Sequence, residues 1–223
     1  VIKLIVFDLW NTLIPTTIDW PHMLSMLKKQ NTPLSEFISR YERATQTKKY
    51  KDFEEFRKDF IKEFDSDSEL LEQELYEVFT NRLDKIYFFP EVEGVLLKLK
   101  KQGYKLALLT NTENIAFNKV DSLLNISEYF DFLGLSYEIK SVKPEKKMFD
   151  FVLKKAGVSP SEALMVGDSL RSDITGSQSV GMHNAWVNRK GKSFDFAEIK
   201  PEFELNTLKD LFKALGVLNA KND

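Results

Sequence analysis

Three aspartates (Asp8, Asp168 and Asp173), one lysine (Lys143) and the pair Thr110-Asn111 are the residues through which this chain could do chemistry. Three carboxylates held close together cannot all stay ionised without cations. Lys143 supplies one positive charge, and a hard divalent ion with oxygen ligands, most simply Mg2+, would supply the rest. A carboxylate beside such an ion and an ammonium is a nucleophile poised against an anionic phosphoryl group. Thr110 and Asn111 can donate hydrogen bonds to the transferring oxygens. Singly, each residue is a weak signal, because strands often end in Asp, a Lys before Pro often opens a solvated helix, and Gly-Asp-Ser is often only a turn. The chemistry therefore depends on one fold bringing all six together.

The elements that must do this are legible in the hydrophobic pattern. VIKLIVF delivers Asp8 at the end of a buried strand over residues 2–7; YKLALLT (104–110) ends at Thr110-Asn111; ALMVGD (163–168) ends at Asp168. FDFLGLS (130–136) and HNAWVN (183–188) are further strands. Between them the pattern predicts helices from Pro90 to Gly103, over NIAFNKVDSLL, from Pro144 to Ala156, over RSDITGSQSV and from Leu208 to Leu215. Alternating strands and helices imply a doubly wound α/β architecture with a parallel sheet, in which ligands bind beyond the carboxyl ends of the strands.

Residues 19 to 86 have a different texture. Asp19-Trp20-Pro21 and Thr32-Pro33 open two helices, the second with Leu34, Phe37, Ile38 and Tyr41 on one face. Asp52 can cap a third helix carrying Phe53, Phe56, Phe60 and Phe64, and Asp67 or Ser68 begins a fourth, through Leu83. The expected organisation is an α/β core of residues 1–16 and 88–223, with a four-helix bundle, residues 17–87, inserted after the first strand. The phenylalanine stripe is read as bundle core and the basic stretch KKYK (48–51) as a solvated joint.

Composition narrows the function classes. The 223 residues carry 32 basic and 34 acidic side chains, for a net charge of −2, well mixed along the chain. That argues against a nucleic-acid or membrane-surface binder, which concentrates basic charge. No cysteine is present, which excludes thiol catalysis, thiolate metal sites and disulfides. Without a leader-like or membrane-length apolar segment, the expectation is a soluble cytoplasmic protein acting on a small anionic molecule; the sequence does not fix an oligomeric state.

Taken together, FDLWNT, LLTNT, Lys143 in VKPEKKMF and GDSLRSD resemble the four ordered motifs of the haloacid dehalogenase (HAD) superfamily of aspartate-nucleophile hydrolases. The likeness covers nearly the whole chain, and the helical insert resembles the cap of the subfamily whose cap follows the first motif. The resemblance implies Asp8 as nucleophile, and Mg2+ held by Asp8, the backbone carbonyl of Trp10 and Asp168. Asp173 would lie behind these ligands, orienting Lys143 or the metal's hydration water, while Thr110, Asn111 and Lys143 would bind the phosphoryl oxygens.

Trp10 departs from the family pattern. Family phosphatases normally carry there a second aspartate that protonates the leaving group and later activates water; an indole can do neither. Three readings follow: a Mg2+-dependent phosphatase lacking its usual acid, a 2-haloacid dehalogenase, or a weakly catalytic phosphate- or metal-binding module in which Trp10 plugs the site. Dehalogenases of this family resemble the chain in having an aromatic residue at this position, but they usually lack the acidic fourth motif. Asp168 and Asp173 would repel a haloacid in a site without metal. Asp19 and His22 are candidates for the missing acid, although Asp19 suits a helix N-cap and His22 its first turn. His183, opening a strand, reads as structural.

Overall fold

The computed structural model describes residues 1–26, 32–64, 69–191 and 199–220. Six strands form one parallel sheet: β1 (Leu4–Phe7), β2 (Lys105–Thr110), β3 (Phe132–Leu135), β4 (Ala163–Gly167), β5 (His183–Val187) and β6 (Phe203–Leu205). Their order is β3-β2-β1-β4-β5-β6, so the chain reverses direction across the sheet between β1 and β4. That switch point is where ligands bind in open α/β sheets. Five of the strands are those expected. The sixth escaped the sequence pattern because three residues, of which only Leu205 is buried, carry no readable alternation.

Both faces of the sheet are covered, as its residues require. In β1, Leu4 and Val6 point to one side, where they join Met148, Phe149, Val152 and Leu153 of a helix spanning residues 146–156. Ile5 and Phe7 point to the other, into a cluster that continues through the inserted helices. The helices are α1 (Trp20–Ser25), α2 (Leu34–Thr45), α3 (Phe53–Phe64), α4 (Glu69–Tyr76), α5 (Val92–Lys101), α6 (Asn114–Leu124), α7 (Ser136–Ile139), α8 (Lys146–Ala156), α9 (Thr175–Ser179) and α10 (Leu211–Ala220).

The first four helices lie between β1 and β2, as read from the sequence; the start expected at Asp67 or Ser68 lies outside the described residues. Their core is aromatic: Trp20 meets Tyr41 at 4.9 Å between ring centroids, Tyr41 meets Phe60 at 5.8 Å, and Phe60 meets Phe64 at 4.6 Å. The chain enters and leaves the insertion side by side, since the Phe89 N–H donates to the Leu13 carbonyl at 3.0 Å. Among the described residues no helix is long and apolar enough to cross a membrane.

Two elements differ from their expected form. The fourth inserted helix, expected through Leu83, is regular only to Tyr76 and gives way to a π-type stretch over Glu77–Arg82 and a 3-10 turn over Leu83–Lys85. RSDITGSQSV was expected to be a regular helix, but residues Leu170–Ile174 form a wide, π-type turn, and α9 starts only at Thr175. The widened turn brings Asp173 back under the end of β4, and wide turns of this kind gather at functional sites.

Candidate active site

Strand register assembles the site. Phe7 pairs with Leu108 of β2 and Val166 of β4, so Asp8 emerges between the ends of both. Its N–H continues the ladder to the Val166 carbonyl at 2.9 Å. The chain then turns sharply: Asn11 takes the left-handed region at φ 59°, and its N–H bonds the Ile14 carbonyl at 2.6 Å. Asn is among the few residues that tolerate this conformation. Its side chain holds the loop by accepting from the Thr16 N–H at 3.2 Å. The turn leaves the Trp10 carbonyl without a hydrogen-bond donor among the described residues.

Lys143 sits at the centre, 2 % exposed. Its Nζ lies 2.6 Å from Asp8 Oδ1 and 2.7 Å from Asp173 Oδ1. The second oxygen of Asp8 accepts from the Thr12 hydroxyl at 3.3 Å, and that of Asp173 from the Ser169 N–H at 3.0 Å. Ligand oxygens of Asp8, Asp168 and Asp173 fall within 4.8 Å of one another. Three carboxylates at such spacing are a hard oxygen donor set of the kind that Mg2+ prefers.

The electrostatics agree with a site short of positive charge. Burial pushes the Asp8 carboxyl up to about 6; Asp173 adds to this, and Lys143 only partly opposes it. Burial and the charges of Asp8 and Asp173 hold Asp168 well above the usual carboxylate range. Burial works against the charge on Lys143, but Asp173 and Asp8 outweigh it and keep the ammonium protonated well above the ordinary lysine value.

Two positions predicted to bind phosphoryl oxygens do other work in this arrangement. The Asn111 amide clasps the backbone of Lys143, its Nδ2 donating to the Lys143 carbonyl at 3.1 Å and its Oδ1 accepting from the Lys143 N–H at 2.8 Å. Thr110 is fully buried beneath the strand end, where its hydroxyl points at the Asn111 carbonyl at 3.4 Å. Asn111 still lines the cavity; Thr110 is not among the wall residues.

That cavity, of about 450 Å3, has a polar floor of Asp8, Asn111, Lys143, Asp168 and Asp173. Trp10 forms part of its wall, and Trp20, Ile38, Val78, Phe79 and Leu83 of the insertion form an apolar roof. Neither Asp19 nor His22 reaches it. Asp19 caps α1 by accepting from the His22 N–H at 3.1 Å, and His22 is exposed. His183 pairs with Glu202 at 2.8 Å on the outside. The first two lysines of KKYK are likewise engaged elsewhere, Lys48 with Asp59 and Lys49 with Glu138.

The structure adds Glu42, which sequence reasoning passed over. It is half-buried on α2 and lines the cavity. Burial pushes its carboxyl up to about 7, against a hydrogen bond from the Asn111 side chain and the charges of Lys143 and Arg171. The available signal was a charged residue continuing the inward stripe Ser35, Ile38 at helical spacing.

Gly167 makes the close approach of Asp173 possible. A Cβ built there would lie 2.2 Å from Asp173 Oδ2, nearer than real atoms come. Gly167→Ala is therefore expected to push Asp173 off Lys143 and lower turnover by about 10²-fold, the scale of a 1 Å misplacement. Steady-state kinetics with circular dichroism as a folding control measures this; wild-type turnover in the variant would show that the Asp173–Lys143 contact is dispensable.

Known proteins resemble the chain in sequence and in fold. The model of the haloacid dehalogenase-like hydrolases matches residues 2–181. A phosphoserine phosphatase of Thermus thermophilus is 31% identical over 143 residues, 64% of this chain and 57% of the relative, so the match spans less than two thirds of that protein's length. Among solved structures, a HAD phosphatase from Thermococcus onnurineus is 28% identical with a TM-score of 0.66, covering 96% of this chain and 98% of that one. A 2-haloacid dehalogenase from Pseudomonas syringae pv. Tomato is 26% identical with a TM-score of 0.67, covering 97% and 99%.

Proposed function

Because the chain belongs to the haloacid dehalogenase-like hydrolases, we propose that it is a Mg2+-dependent phosphatase whose nucleophile is Asp8. The observation that carries this reading is the gathering of Asp8, Asp168 and Asp173 around one buried ammonium. Asp8, Asp168 and the Trp10 carbonyl would hold the ion, with Asp173 behind them. Bound there, Mg2+ would neutralise the carboxylates and polarise a phosphoryl oxygen.

The chain's own groups do the rest. Lys143 pairs with the anionic substrate and orients the attacking oxygen of Asp8 through the 2.6 Å contact. Asn111 holds Lys143 by its backbone, so the ammonium presents itself without reorganisation when charge develops. Residues 17–87 would act as a cap, whose apolar roof keeps bulk water from the reacting centre and accommodates the organic part of a small phosphate ester.

The aromatic Trp10 and the dehalogenase-like architecture favour a second reading, halide displacement from a 2-haloacid. Uncompensated carboxylates disfavour it, because they would repel the haloacid's own charge. The plugged-module reading is weakened by the cavity, since Trp10 lines that space and does not fill it. A screen of phosphate esters and 2-haloacids with Mg2+ or EDTA separates the three. Phosphate release that EDTA lowers by roughly 10²-fold or more is expected. Halide release indifferent to EDTA would replace this reading with the second, and binding without turnover would replace it with the third.

A further inference from the structure

Resting on the phosphatase reading, we propose that Glu42 is the acid and base of the reaction, acting from the inserted helix in the role that Trp10 leaves unfilled. Five carboxyl groups border the cavity: Asp8, Glu42, Glu113, Asp168 and Asp173. Three of them are the cation cluster. Glu113, 2 % exposed, is engaged in holding α2, its Oε1 accepting from Gln46 Nε2 at 2.8 Å and from the Thr45 hydroxyl at 3.3 Å. Lys143 keeps its proton between two carboxylates, and both histidines lie elsewhere. Glu42 is the proton carrier that remains.

Its placement is fixed from both ends of α2. Ser35, Ile38, Glu42 and Gln46, at helical spacing, turn one face of the helix into the cavity. Near the start of α2, Arg171 donates to the Ser35 carbonyl at 2.7 Å and the Ser39 hydroxyl at 3.2 Å. At its end, Thr45 and Gln46 grip Glu113, and the Asn114 amide makes two 2.8 Å bonds to the backbone of Tyr50. Glu42 lies between these anchors, beside the Asn111 side chain at the rim of the phosphoryl site. Such pre-organisation is what a positioned proton donor needs.

Direction matters as much as proximity. Asp8 attacks from the sheet edge, and in-line displacement expels the leaving oxygen away from it, toward the inserted helix. The charged groups acting on Glu42 are Lys143 and Arg171, which favour its carboxylate, and Asp173, which opposes it; burial outweighs them and pushes the carboxyl up to about 7, as suits an acid that must also serve as a base.

The proton balance is complete. An oxygen of Asp8 forms a bond to phosphorus while the bond from phosphorus to the ester oxygen breaks. Glu42 gives that oxygen its proton, releasing the alcohol and leaving an aspartyl phosphate and a Glu42 carboxylate. Water entering from the same side then bonds to phosphorus as Glu42 takes its proton. The bond to Asp8 breaks, phosphate departs, and Asp8 and Glu42 return to their starting states.

Glu42→Gln tests this with two substrates, 4-nitrophenyl phosphate and an alkyl phosphate. Nitrophenolate leaves without a proton, so the variant should release one equivalent in a burst. It should then turn over about 10²- to 10⁴-fold more slowly than wild type, because hydrolysis of the aspartyl phosphate has lost its base. The alkyl phosphate, whose leaving group needs the proton, should turn over more slowly still and show no burst. Glu42→Asp, which keeps a carboxyl, should retain more steady-state rate than Glu42→Gln, and circular dichroism checks the fold of both. Wild-type rates in Glu42→Gln, equal loss on both substrates without a burst, or the reverse order of Asp and Gln would overturn the proposal. A wild-type protein that releases phosphate from neither substrate would instead defeat the phosphatase reading, and the proposal with it.

Discussion

Asp8→Asn should abolish hydrolysis, by about 10⁴-fold or more, and yet make the metal-free protein more stable at pH 8. The first effect follows from removing the proposed nucleophile: the amide oxygen cannot form the aspartyl phosphate, and the remaining groups only bind. The second follows from burial. Asp8 in the fold is pushed up to about 6 from an ordinary value of 3.8, so the folded state holds its proton more tightly than the unfolded chain does. A group raised in this way contributes stability that is fully present below pH 4 and is lost as pH rises through 6. For one fully buried carboxyl the difference is about 3 kcal/mol. Asparagine carries no charge and escapes the loss. In EDTA, thermal midpoints of the two proteins should converge at pH 4 and separate by pH 8, with the variant higher. Added Mg2+ should stabilise the wild type more at pH 8 than at pH 5, since the ion needs ionised ligands. A variant less stable than wild type in EDTA at pH 8 would mean that the Lys143 contact outweighs the desolvation of Asp8.

Lys143→Met should destabilise by about 3–5 kcal/mol, the usual result of breaking a buried ion pair from one side. Lys143 contacts Asp8 at 2.6 Å and Asp173 at 2.7 Å. Both partners are buried, Asp173 completely, and removing the ammonium leaves two carboxylates facing each other in a medium that screens poorly. For a chain of this length the expected fall in melting temperature is roughly 10 °C. The fall should be largest above pH 7 without metal, where Asp8 is charged. It should shrink near pH 5, where Asp8 takes up a proton, and shrink again in Mg2+, which restores positive charge. Turnover should be lost under all these conditions, because no ammonium would remain to pair with the substrate and orient the oxygen of Asp8. An unchanged melting temperature at pH 8 in EDTA would show that the acids already share protons and that Lys143 is not their counter-ion.

The sequence by itself determined five of the six strands, the helical insertion after the first of them, and the convergence of Asp8, Lys143, Asp168 and Asp173 on one edge. These follow from local rules: a β-branched run buried on both faces makes a central strand, and parallel strands in register bring their carboxyl ends together. Phe7 beside Val166 is enough to set Asp8 next to Gly167 and Asp168.

What only tertiary structure decided concerns side chains whose roles depend on partners distant in the chain. Asn111 looked like a ligand donor only, but its amide also clasps the backbone of Lys143, 32 residues later. Thr110 was expected to line the site and is sealed beneath it. The regular helix expected after β4 opens into a wide turn that seats Asp173 under Lys143. Glu42 reads as an ordinary polar residue on an amphipathic helix, because periodicity marks which face turns inward but not what that face meets. Its meaning comes from Arg171 and Glu113, which fasten α2 over the sheet edge. Periodicity is a property of neighbouring residues, whereas the burial and charge that would turn a carboxyl into an acid are set by everything packed around it.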